Sequence, residues 1–212
     1  MSGNEPRTVT PAALRGHGIG IIVCAVFAAL WTNWASPMLS ALPATYGWTA
    51  IFVVAAISGT LLLAGVSTIR SGRRLSRTTG IRDAAPRGMR GKFTLVLIGE
   101  VAALNVAAYL LIGHHMAQYL APAVAVVVGL HFLPLAKIFR APHYFVTAGV
   151  MTLAGILAAV AMANGSSATT ANGIADLLCA MALWGTGFTS WLRMHKAVAD
   201  SHAIVAATDS TH

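Results

Sequence analysis

Basic residues occur in this chain only at every second gap between long apolar runs. Arg7 and Arg15 precede the first run, Arg70 to Lys92 follow the second, Lys137 with Arg140 follow the fourth, and Arg193 with Lys196 follow the sixth. The other connections contain no Lys or Arg. An apolar helix of about 20 residues crosses a bilayer core, and Lys and Arg are retained on the cytoplasmic side. The alternation therefore predicts an all-α integral membrane protein: a bundle of six transmembrane helices with N and C termini cytoplasmic.

The expected spans are about 16–35, 46–69, 93–113, 120–136, 144–163 and 173–192. Residues 1–15, with Pro6 and Pro11, should form a disordered lead, 70–92 a basic cytoplasmic loop, and 197–212 a polar tail. Trp31, Trp34, Tyr46 and Trp48 flank the first outer connection, where amphipathic rings mark a membrane interface. Small residues spaced by four suggest close helix packing at Gly16, Gly20, Cys24 and Ala28, at Gly99, Ala103 and Ala107, and at Gly155, Ala159 and Ala163. The hydroxyls of the second span, Thr49, Ser58, Thr60, Ser67 and Thr68, can bond to their own helix carbonyls.

Composition narrows the functional classes. Hydrophobic residues make up 57% of the chain and charged residues only 9%, against about a quarter in a soluble domain. The net charge of +8 does not indicate nucleic acid, because the charges are topogenic and do not form one folded face. Their natural partners are membrane lipids with anionic headgroups, contacted by Arg70, Arg73, Arg74 and Arg77 at the start of the basic loop. A short interfacial helix around Arg73 to Arg77 fits this placement. Arg exceeds Lys and Ala is abundant, which points to a bacterial plasma (inner) membrane. Cys24 and Cys179 both lie in apolar runs and form no CxxC motif. No CxxCH, HExxH, GxSxG or phosphate-loop pattern occurs, so neither a metal nor another cofactor is expected, and no hydrolase or ATP-driven chemistry is indicated.

Ionisable residues inside a bilayer are costly and point to function. Glu100 lies seven residues inside Phe93, and His131 lies six residues before Lys137, so each is about 10 Å from the same membrane face. Pro134 withholds a hydrogen bond from the Leu130 carbonyl and should kink the helix beside His131. A carboxylate and an imidazole at one depth can exchange a proton with little change in net charge, or bind a cation or hydrogen-bonding ligand. His17 begins the first span at the same face and is a further candidate. Asn105 follows Glu100 on its span, and Asp176 stands one turn inside the last span, near Asn33, His114 and His115 at the outer face. Adjacent histidines point in different directions, so His114 and His115 make a poor metal pair.

The pattern predicts a small proton- or cation-coupled transporter or permease-like protein, with Glu100, His131, Asn105 and Asp176 as substrate or proton sites. One copy makes a narrow bundle, so a homo-oligomer and a small-molecule or ion ligand are the expected partners. Two other readings remain. One is a non-catalytic scaffold or accessory subunit in which Glu100 and His131 merely lock helices. The other is a lipid- or quinone-linked membrane enzyme or redox subunit.

Overall fold

The computed structural model describes residues 10–41, 43–79 and 87–209, and within these the ordered structure is helical. Helix α1 spans Pro11–Trp34, α2 is the short Ser36–Leu39, α3 runs Ala44–Thr79 and α4 runs Arg87–Gly113. A 3-10 turn at Ala117–Tyr119 leads into α5, Leu120–Ile138, followed by α6, His143–Ala163, and α7, Ala168–Asp209. Five of these helices are long and apolar enough to cross a membrane: α1, α3, α4, the segment containing α5, and α6. The expected sixth span falls within α7, which is not one of the five. Asp176, Thr186, Thr189 and Ser190 lower its apolar content, and three of them, Asp176, Thr186 and Ser190, are buried against other helices.

Local chemistry accounts for the helix boundaries. Thr10 caps α1 by accepting from the Ala13 amide at 3.2 Å, and Pro11 takes the first helical position, where its missing N–H is no loss. At the other end, α4, α5 and α6 close in the same way. The amides of Met116, Ala141 and Ser166 return to the carbonyls of Leu111, Ala136 and Ala161, with His115, Arg140 and Gly165 left-handed at the turn. Only Gly165 has no Cβ to resist that conformation. His115→Gly should therefore raise stability by about 0.5–1 kcal/mol, as read from thermal unfolding in detergent. An unchanged or lower midpoint would contradict the backbone argument.

The helices pack in a row. In order, α3 lies against α1, α1 against α7, α7 against α6, α6 against α5, and α5 against α4. The main core is built from α1, α5, α6 and α7 around Trp31, Phe132, Met151, Cys179 and Leu183, and a smaller cluster joins Ile21 and Ala25 of α1 to Leu61 of α3. Helices α3 and α4, joined through the basic segment, stand at opposite ends of the row. Among the described residues α4 packs closely only on α5 and the 3-10 turn, leaving Leu95, Ile98, Val101, Val106 and Tyr109 exposed. In water so broad an apolar surface would drive aggregation, whereas acyl chains solvate it.

Close approaches fix the neighbours. A Cβ on Gly18 would lie 2.7 Å from the Gly65 carbonyl oxygen, and one on Gly65 would lie 2.9 Å from that of Gly18, so the backbones of α1 and α3 nearly touch. Gly129 meets Thr152 of α6 in the same way, and Gly155 meets Pro122 of α5. The expected stripes are corrected accordingly. Gly16 has nothing within 4 Å, and the helix contact is made by Gly18, two residues on. Gly99 is likewise open, and Ala103 and Ala163 are exposed. Gly20, Cys24, Ala28 and Gly155 do face neighbours.

The expected loop at 70–92 is largely helical where it is described. α3 continues to Thr79, and α4 already begins at Arg87. At about 1.5 Å per residue the 36 residues of α3 extend about 54 Å, well beyond a hydrocarbon core of about 30 Å. Arg70, Arg73 and Arg74 lie exposed on this overhang. The side chain of Arg77 lies outside the described residues, as do residues 80–86. The tail from 197 is similarly helical as far as Asp209. Residues 1–9, the bulk of the expected disordered lead, also lie outside the described residues.

Candidate functional site

Polar groups gather at three places in the apolar array. The first joins α4 to α5. On α4 the less exposed residues are Val96, Glu100, Leu104, Ala107, Ala108 and Leu111, a stripe at helical spacing that faces α5. Glu100 therefore reaches its neighbour through this stripe and not through Gly99 and Ala103. Its Oε2 lies 3.2 Å from Nδ1 of His131, and the two side chains are only 15% and 11% exposed. The approach is within ion-pair range but off the line of a well-formed hydrogen bond, so Nδ1 lacks a regular partner. The imidazole packs edge-on against Phe132, which in turn packs edge-on against Tyr144 at 5.5 Å. A small rotation of either side chain would align the bond.

Pro134 lies inside α5, which runs on without a break to Ile138. Asn105 is exposed and turned back on its own helix, donating to the Val101 carbonyl at 2.7 Å, so it does not join Glu100. His17 is also apart from the pair. Its Nδ1 is 2.9 Å from the Ala13 carbonyl oxygen, and α1 is separated from α4 by three helices of the row.

The second place is at the end of the array away from the basic residues. Asp176 is only 2% exposed, and it lines a cavity of about 430 Å³ together with Asn33, Trp34, Ser36, Asn172 and other residues of α1, α2, α5 and α7. Met38 docks on Gly173 and so holds α2 over α7. Nδ2 of Asn172 donates to the Gln118 carbonyl at 3.1 Å, which orients the amide. Oδ1 of Asn172 and Oδ1 of Asp176 are buried without a hydrogen-bond partner. His114 and His115 are exposed in the turn after α4 and do not line this cavity. Among the described residues no three His, Cys, Asp or Glu side chains come together in a metal-binding group.

The third place lies toward the basic end, between α6 and α7. His143 Nε2 and Ser190 Oγ share a hydrogen bond at 3.0 Å, and one turn further in, the Thr147 and Thr186 hydroxyls bond to each other. Thr186 also donates to the Ala182 carbonyl at 2.7 Å. Nδ1 of His143 is buried without a partner. The sequence reading missed this network. Its signal was two polar pairs spaced by four, His143 with Thr147 and Thr186 with Ser190, on antiparallel neighbours where each pair faces the other. The α3 hydroxyls divide as well: Thr60, Ser67 and Thr68 bond to their own helix, whereas Ser58 accepts from Trp184 Nε1 of α7 at 3.1 Å.

Comparison with protein-family models, with curated proteins and with solved structures gave no match. The apolar helical array is that of a multi-pass membrane protein.

Proposed function

We propose that this chain is a small proton- or cation-coupled transporter or permease-like protein of a bacterial inner membrane, in which the apolar part of α7 supplies a sixth span and both termini are cytoplasmic. The observation that carries the reading is the 3.2 Å approach of Glu100 to His131 within two apolar helices. A carboxyl and an imidazole at this distance exchange a proton without leaving a net charge in hydrocarbon. Glu100 lies on α4, which among the described residues packs closely only on α5 and the 3-10 turn and contributes no buried residue to the main core, and this supports a role in movement of α4 against α5. The exposed arginines of the α3 overhang fit contact with anionic headgroups.

The test is transport in proteoliposomes under an imposed pH gradient, screening small solutes and cations with wild type and Glu100→Gln. Glu100→Gln keeps the shape of the side chain but removes its ionisation, so it should reduce gradient-driven flux by about tenfold or more, as loss of a positioned proton carrier does. Flux that survives the substitution would defeat the coupling role.

The broad exposed face of α4 favours a second reading, a scaffold or accessory subunit whose α4 meets a partner or a second copy. Under that reading Glu100→Gln loosens α4 and alters assembly without any solute flux to lose.

A further inference from the structure

The cavity beneath Asp176 adjoins a smaller one of about 250 Å³, lined by Ala117, Leu120 and Val124, and the two share Trp34, Ala121 and Asn172. We propose that these joined cavities bind a small organic ammonium ion, a primary or secondary amine carrying a compact apolar body. The inference stands apart from the Glu100–His131 pair, because neither of those residues lines either cavity.

The chemistry of the lining selects this class. Two buried oxygens, Asp176 Oδ1 and Asn172 Oδ1, lack donors, and an acceptor left bare in a buried place is expensive enough to require a donor from elsewhere. Asn172 cannot turn to satisfy itself, because its amide nitrogen is engaged with Gln118. Among the described residues no Lys, Arg or His lines either cavity, so the carboxylate meets no cation there and an anionic ligand would be repelled. Trp34 stands at the junction with its ring half-exposed, held edge-on by buried Trp31 at 5.1 Å between centroids. Such a face attracts cations. A hard divalent ion such as Ca2+ or Mg2+ is disfavoured, since it takes six or more oxygens around it and one carboxylate in a wide cavity does not supply them, and among the described residues no cluster of His, Cys, Asp or Glu is present to hold a softer one. A quaternary ammonium has the charge but no N–H for the two oxygens. The adjoining apolar cavity then takes the body of the amine.

Titration calorimetry at equilibrium, with the protein in nanodiscs and empty nanodiscs subtracted, tests this without any gradient. A failure of coupled transport therefore cannot mimic a failure of binding. The probe is benzylammonium, compared with benzyl alcohol and benzyltrimethylammonium. Wild type should bind benzylammonium in preference to both, Asp176→Asn should weaken it at least about tenfold, and Trp34→Leu about threefold or more. Should Asp176→Asn not fold, Trp34→Leu and Asn172→Leu decide, the first at a half-exposed rim position that leaves the core intact. The proposal is overturned by an absence of binding, by equal binding of either comparison compound, or by folded variants that all bind like wild type.

Discussion

Gly155→Ala is expected to lower stability by about 1–3 kcal/mol, whereas Gly149→Ala, on the same helix, should be neutral or raise it by up to about 1 kcal/mol. The two glycines differ in what stands opposite. A Cβ at 155 would lie 2.5 Å from the Pro122 carbonyl oxygen, 2.9 Å from a methyl of Val126 and 3.1 Å from the Ala125 Cβ, while one at 149 meets nothing within 4 Å. The nearest obstacle is backbone, the carbonyl of Pro122 itself, so it cannot swing aside as a side-chain tip would. The helices must separate, and dispersion contacts along the α5–α6 seam weaken with them. Thermal unfolding in detergent reads both variants. Equal midpoints for the two would mean that α5 and α6 do not approach as closely as described, and Gly129→Ala, opposed by Thr152 across the same seam, serves as an independent check.

His131→Leu should destabilise the fold by about 1–3 kcal/mol, and adding Glu100→Leu should recover most of that loss. The reasoning is that of a half-removed pair. With the imidazole gone, Glu100 remains 15% exposed between apolar helices with the partner at 3.2 Å deleted. Removing both leaves an apolar contact between α4 and α5 that hydrocarbon tolerates well. The range is set below that of a fully buried pair because both groups keep some access to solvent or headgroups. A double-mutant cycle by chemical unfolding measures the recovery, and a double variant no more stable than His131→Leu would show that the two side chains do not interact energetically. The double variant also separates function from glue. Folded but inactive in proteoliposomes, it supports proton coupling; folded and fully active, it assigns the pair to helix packing alone.

The Glu100–His131 pair was legible in the sequence for a simple reason. The two residues occupy the arms of one helical hairpin, and a tight turn forces equal depth, so counting residues from the basic end was enough to bring them together. His143 with Ser190 and Thr147 with Thr186 were not found, because α6 and α7 are long enough that their register depends on the loop at 164–167 and on packing against α1. Asp176 stood out as an ionisable residue near a span end, but its cavity takes walls from α1, α2, α5 and α7. No local pattern announces such a meeting.

Membrane partition is a local property. Each stretch of 20 or so residues is either apolar enough for hydrocarbon or not, so residue order alone determined the membrane class of the protein. The order of neighbours was decided only by tertiary structure. In lipid the outward face of a helix is as apolar as the inward one, and the periodicity that marks a buried face in water disappears. This is why the stripe through Gly16 pointed at nothing while Gly18 met Gly65, and why α7, which is not among the five helices apolar enough to span, lies among α1, α5 and α6 with Asp176, Thr186 and Ser190 turned inward. Shape complementarity between backbones and the pairing of polar groups chose those contacts, and both are properties of two helices together.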